Sequence, residues 1–150
     1  PAGGEGRVAS TAANGFTNGL AISPDGDWLW VAESTPPLLS RSRIQDDGTL
    51  GPREIVVELP RTVPDGLAST ADGLLLIACY RPDAVLTWDG ARIETLVEDW
   101  AAVVLCAPTN VAFGGEGLGT LWSANLGVGY VTRIDAGLRG APLRHPEVPR

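Results

Sequence analysis

One phrase recurs three times in this chain and constrains its fold more than any other feature. Asn18-Gly-Leu-Ala-Ile-Ser-Pro-Asp-Gly26 leads into Leu29-Trp-Val-Ala-Glu33; Asp65-Gly-Leu-Ala-Ser-Thr-Ala-Asp-Gly73 leads into Ile77-Ala-Cys-Tyr80; Thr109-Asn-Val-Ala-Phe-Gly-Gly115 leads into Leu121-Trp-Ser-Ala-Asn125. The repeats start 47 and then 44 residues apart, counted from Asn18 to Asp65 and from Asp65 to Thr109. That period belongs to β-propeller blades and other arrays, in which each unit buries its apolar face only against a neighbour. A radial array brings equivalent positions of successive blades to one rim of a shared axis. The oxygen-bearing side chains that open the repeats, Asn18, Asp65 and Thr109 or Asn110, are therefore expected to converge.

Local signals point to an all-β chain. Nineteen Gly and twelve Pro divide the 150 residues into short apolar clusters, such as 28–31, 55–57 and 74–77, which read as strands bounded by turns. In the first repeat, strands are expected at 18–23, 28–32, 39–44 and 53–59, with turns at Pro24-Asp-Gly26 and Asp46-Asp-Gly48. The second repeat runs from Asp65 through turns at Asp72-Gly73 and Asp89-Gly90 to Trp100; the third runs from Thr109 to Ile134 and lacks a clear fourth strand. The run from Ile93 to Cys106 is the best helical candidate, although Val103-Val-Leu-Cys106 suits a strand equally well. Residues Gly6 to Ala13 read as the outer strand of a blade whose inner strands lie elsewhere. The expectation is one β-propeller domain over residues 1–150 with about three four-stranded blades. Propellers close with about four to eight blades, so three make an open arc. The favoured expectation is the C-terminal half of a chain of about 300 residues; the alternative is that two copies close one ring.

Charge and composition narrow the function by exclusion. A net charge of −7 has the wrong sign for a surface that neutralises phosphates, so no nucleic-acid partner is expected. All eleven basic residues are Arg, which a GC-rich coding bias explains without a mechanism. No apolar run approaches the roughly 20 residues of a membrane-spanning helix, and no export signal opens the sequence. A cytoplasmic location without a membrane partner is therefore expected. Cys79 and Cys106 read as two buried, reduced thiols, since neither has a His neighbour to make it a nucleophile. The single histidine, His145, lies among prolines and arginines and reads as part of a solvated tail; one His makes no zinc site.

The residues that open the repeats allow two readings. Asn and Asp before Gly are turn formers, and at a strand entry their side chains can cap backbone N–H groups. They are also oxygen donors at a shared axis. On the residues alone, cap and ligand stay equally open for Asn18 and Asp65. Asp25, Asp47 and Asp72 precede Gly within β-turn signals and read as turn chemistry. Glu33, ending an inner strand, either faces the channel or sits in solvent. The five Trp, at strand positions, read as core packing.

Taken in order, Asn18 to Gly26 with Leu29 to Glu33, Asp46-Asp-Gly-Thr-Leu-Gly51, Leu59-Pro60, Pro64-Asp-Gly-Leu-Ala68 and Pro108-Thr-Asn-Val-Ala-Phe-Gly-Gly115 resemble the second half of the SMP-30/gluconolactonase/LRE family, from Gly6 to Pro142. The resemblance implies a six-bladed propeller and an enzyme that opens sugar lactones, so that the partner is a small-molecule lactone. It also implies one divalent cation in the central channel, Ca²⁺ or else Zn²⁺, Mg²⁺ or Mn²⁺. Asn18, in the family's Asn-Gly-Leu-Ala motif, is implied as a metal ligand; Asp65, in its Pro-Asp-Gly motif, as both ligand and general base. The family's remaining Glu ligand has no counterpart in this sequence, and Tyr130 inherits no role. The chemistry is consistent with these residue types: carboxylate and amide oxygens suit hard cations, and such a cation polarises a carbonyl and acidifies water. Two other readings stay open. Val31-Ala-Glu-Ser34 is similar to a strand of strictosidine-synthase-like propellers, and the fold also serves as a non-catalytic module that binds a cation or a protein. Self-association is open if the chain is complete.

Overall fold

Three antiparallel sheets follow one another along residues 5–143, the part of the chain that the computed structural model describes. The first holds β1 (Thr17–Ile22), β2 (Trp28–Ser34), β3 (Pro37–Ile44) and β4 (Leu50–Glu58) in that spatial order. The second holds β5 (Val63–Ser69), β6 (Leu75–Arg81), β7 (Ala84–Trp88) and β8 (Ile93–Glu98), and the third holds β9 (Pro108–Gly114), β10 (Thr120–Asn125) and β11 (Val131–Ile134). Each sheet is a meander, because short turns join only antiparallel neighbours. The Asp-Gly turns form where the sequence marks them. Gly26 and Gly73 take φ of 85° and 91°, a region that a residue with a Cβ enters only under strain. Ser23 Oγ and Thr70 Oγ1 donate to the carboxylates of Asp25 and Asp72, and Asp47 accepts from the Thr49 N–H at 2.9 Å. These three Asp are turn residues.

The first strand of each sheet lies innermost, with β1 packed on β5 and β5 on β9. Two apolar layers fill the gaps between sheets. One gathers Ala32, Leu39, Leu67, Ile77, Leu86 and Trp88 from the first and second sheets; the other gathers Leu76, Ala78, Val85, Val111 and Leu121 from the second and third. Strand β6 supplies both, Leu75, Ile77 and Cys79 to one layer and Leu76 and Ala78 to the other. Successive side chains of a strand point to opposite faces, so a strand covered on both faces is apolar without interruption. The third sheet has no fourth strand among the described residues. After β11 the chain turns back and bonds to the second sheet instead, through Ala141 N to Ser69 O at 2.9 Å and Ala71 N to Arg139 O at 2.9 Å.

Several expectations are corrected. Residues 6–13 form no strand; they are exposed as far as Ala12 and lack a ladder partner, without which an extended segment leaves its N–H and C=O groups to water. The chain is first held at Gly15 and Phe16, whose carbonyls accept from Thr35 N at 3.2 Å and Ser34 N at 3.1 Å. The helical candidate from Ile93 to Cys106 divides into β8 and a loop wound on Asp99, whose Oδ2 accepts from Val103 N at 2.9 Å and Leu105 N at 3.1 Å. A carboxylate that collects backbone donors in this way competes with the helix ladder. Of the five Trp, Trp88 and Trp30 join the core, whereas Trp28 lies beneath the Arg41 guanidinium, 3.9 Å from ring centroid to cation, and Trp100 is 92% exposed. Both thiols are free, but only Cys79 is buried; Cys106 is half-buried. His145 lies outside the described residues. No helix among the described residues is long and apolar enough to cross a membrane.

Candidate functional site

Each inner strand is broken at the same place. Thr17 pairs with Glu33 while Leu20 pairs with Val31; Pro64 pairs with Cys79 while Leu67 pairs with Ile77; Pro108 pairs with Asn125 while Asn110 pairs with Ala124. In all three the register slips by one residue, the mark of a β-bulge. A bulge leaves its extra residue out of the ladder and re-aims the side chain. The slipped positions are Asn18-Gly19, Asp65-Gly66 and Thr109. The polar residues that open the repeats thus stand on irregular backbone at one end of the inner strands, opposite the Asp-Gly turns.

Glycine draws these positions together. A Cβ on Gly19 would fall on the Asp65 carbonyl oxygen and come within 2.8 Å of the Gly66 Cα and of the Leu67 nitrogen. A Cβ on Gly66 would fall on Asn110 and come within 2.7 Å of the Thr109 carbonyl. Each glycine is therefore a point where one sheet's backbone rests on the next, which no side chain permits. The expected convergence is present: Asn18-Gly19 abuts Asp65-Gly66, which abuts Thr109-Asn110.

The side chains at these positions differ in their hydrogen bonding. Only Asn110 caps a backbone donor, its Oδ1 accepting from Val111 N at 2.9 Å. The Asn18 amide donates through Nδ2 to Ser34 Oγ at 3.3 Å, and Ser34 Oγ donates to the Pro64 carbonyl at 2.6 Å. No hydrogen bond or ion pair reaches the Asp65 carboxylate among the described residues. Asp65 is half-buried, and burial alone pushes its carboxyl above the ordinary aspartate range. An oxygen pair of this kind, desolvated and without a donor, has the chemistry of a cation ligand. Among the described residues no group of three or more His, Cys, Asp or Glu is arranged to hold a metal, so the fit rests on two donors, the Asp65 carboxylate and the Asn18 amide oxygen. Both suit an oxygen-preferring divalent cation.

Burial, with a smaller contribution from the Asp65 charge, pushes the Cys79 thiol up to about 12, which keeps it protonated and inert. Below the bulges, Leu20, Ile22, Leu67, Val111, Phe113 and Leu143 line an apolar cleft of about 410 Å³. Neither Asn18 nor Asp65 lines it.

A profile of the SMP-30/gluconolactonase/LRE-like region matches residues 7–142. The chain belongs to this family. A curated relative, 6-deoxy-6-sulfogluconolactonase of Pseudomonas putida, is 35% identical over 114 residues, covering 71% of this chain and 36% of that protein. Among solved structures, a calcium-binding protein, regucalcin, from Agrobacterium tumefaciens superposes with a TM-score of 0.70 at 21% identity, covering 83% of this chain and 47% of the other. A gluconolactonase from Xanthomonas campestris gives 0.60 at 22% identity, covering 73% and 34%. The fold is that of these family β-propellers, and the chain spans less than half the length of each of these relatives.

Ser34 and Gly15 escaped the sequence reading, and Glu33 was misplaced by it. Ser34 links Asn18 to the strand that carries Asp65. Glu33, expected in the channel or in solvent, is fully buried. It accepts from Gly15 N at 2.9 Å, Ser40 Oγ at 2.6 Å and Arg53 at 2.7 Å. Burial alone would raise its carboxyl; these hydrogen bonds and the Arg53 charge outweigh that and hold it below the ordinary glutamate value. Gly15 is required because a Cβ there would lie 2.8 Å from Glu33 Oε2. The one local signal was Glu33 itself, a charged residue at the end of an apolar strand, where it needs a partner.

Proposed function

We propose that this chain carries part of the active centre of a divalent-cation-dependent hydrolase that opens a sugar lactone or a related lactone. The observation that carries the reading is the Asp65 carboxylate, half-buried and without a donor, abutting Asn18 across the glycine seam. Membership of the family and the lactonase relative support it. Asp65 and Asn18 would hold the cation through oxygen. When bound, the cation supplies Lewis acidity toward a carbonyl and its water.

The chain's own contribution is proton transfer and orientation. Asp65 accepts the proton of the attacking water as the new C–O bond forms at the lactone carbon. The ring C–O bond then breaks, and the proton passes to the departing alkoxide, leaving a hydroxy acid. The bulged backbone aims Asp65, and Asn18 supplies a neutral oxygen that adds no second charge. A cytoplasmic location fits two free thiols, which persist where the surroundings are reducing.

In the intact protein, Asp65→Ala is expected to lower kcat/KM on a panel of sugar lactones by at least about a hundredfold and to weaken Ca²⁺ or Mn²⁺ binding. Hydrolysis that survives the substitution unchanged would favour a propeller that binds without catalysing.

A further inference from the structure

Ser34 ends β2 beside Asn18 and is 6% exposed. Its hydroxyl has two partners, the Pro64 carbonyl at 2.6 Å and the Asn18 side chain at 3.3 Å. A carbonyl oxygen cannot donate, so the single Ser34 proton is committed to Pro64. Only lone pairs remain for Asn18, and a lone pair is satisfied by an N–H. The Asn18 NH₂ must therefore face Ser34. The two ends of an amide are nearly alike in shape, and their assignment follows from the hydrogen-bond network around them. Here the network allows one assignment.

We propose that Ser34 is a positioning residue for the cation site: by holding the Asn18 NH₂, it keeps Oδ1 turned away from itself and available as a ligand. The inference rests on the cation reading of Asn18 and Asp65. The same hydroxyl ties the ligand of one sheet to the next, since Pro64 immediately precedes Asp65. It also explains why the first inner strand carries an amide where the second carries a carboxylate. A carboxylate at position 18 would set its oxygen against the Ser34 lone pairs unless Ser34 gave up Pro64.

The second sheet provides an internal contrast. Val31-Ala-Glu-Ser34 and Ile77-Ala-Cys-Tyr80 are equivalent stretches, so Tyr80 stands where Ser34 stands. A carboxylate has two equal oxygens and no wrong orientation, and among the described residues no hydrogen bond joins Tyr80 to the Asp65 carboxylate. The residue that needs orienting has the orienter, and the residue that does not need it lacks one.

The test is calcium titration by calorimetry on the intact protein, with thermal unfolding of the metal-free protein measured alongside. Ser34→Ala is expected to weaken Ca²⁺ binding about tenfold or more, the usual consequence of removing a group that orients a ligand, and Ser34→Thr to restore it. In an Asn18→Ala background the same Ser34→Ala change is expected to cost no further affinity, because the ligand it orients is gone. A loss of equal size in both backgrounds, or none in the single variant, would overturn the proposal. Should Ser34→Ala fail to fold, Ser34→Cys keeps the volume with a weak donor and acceptor, and the same two-background comparison decides. Loss of binding in Asp65→Ala beside unchanged binding in Ser34→Ala sinks only this inference. Unchanged binding in Asp65→Ala removes the cation reading and the inference with it.

Discussion

Strands β2 and β6 occupy the same place in their sheets and derive from the same phrase, yet they are stabilised by different physics. Strand β6 is sealed on both faces, with Leu76, Ile77, Ala78 and Cys79 all at 0% exposure. Strand β2 ends in a polar cluster, where Glu33 is equally inaccessible but is satisfied by Ser40, Arg53 and Gly15. The difference lies in what covers each strand. The central sheet has an apolar neighbour on either side, whereas the end of β2 is covered by the chain entering at Gly15. A repeat therefore dictates backbone position and leaves side-chain chemistry to the neighbours.

This contrast can be broken most directly at Arg53. Replacing Arg53 with Leu strands the Glu33 charge in a buried site, which typically costs about 3 to 5 kcal/mol; urea denaturation should report a loss of that size. A loss below about 1 kcal/mol would mean that Glu33 reaches water easily and that β2 is not sealed. Next in size is Leu76→Ala in β6, where a cavity opens between the second and third sheets at a cost of about 3 kcal/mol. The control is Ile55→Ala on β4, 57% exposed, which should stay within about 0.5 kcal/mol in the same experiment.

Acid titration sharpens the contrast further. The folded-state pKa of Glu33 lies below its ordinary value of 4.5, so its contribution to stability is fully present above that value. It is lost as pH falls through the lower, folded-state value. Between about pH 6 and about pH 3, wild type should lose stability more steeply than Glu33→Gln. Parallel slopes would show that the cluster does not hold the charge. A modest effect is expected at the surface of the first sheet. Arg41 stacks on Trp28 and bonds Glu54 at 2.9 Å in partly exposed positions, and Arg41→Ala should cost about 0.5 to 1 kcal/mol, with part of the loss screened by salt.

The comparison also shows what a sequence can reveal by itself. The meander strands, the Asp-Gly turns at Gly26 and Gly73 and the gathering of Asn18, Asp65 and Thr109 were legible, because each follows from local turn chemistry or from repeat phase. The bulges were not legible, since a slipped register depends on the partner strand as much as on the bulged one. Glu33 was misplaced because its partners lie 18 and 20 residues away, at Gly15 and Arg53, and no local pattern links them. Residues 6–13 read as an outer strand but have no ladder to join. Trp100 sits at the end of an expected strand that in fact stops at Glu98, so its 92% exposure followed from a boundary that composition did not mark. Ser34 was read only as part of a motif, and its role needs the position of Pro64 in the next sheet.

Gly19 and Gly66 also act as a gauge. Where a hydrogen atom is all that separates two strands, the spacing between sheets is at its minimum, and the angle between them is set by backbone rather than by side-chain volume. The third strand breaks this rule, for Asn110 stands where Gly19 and Gly66 stand in their repeats. At that position β9 carries a side chain instead, whose Oδ1 lies against Gly66.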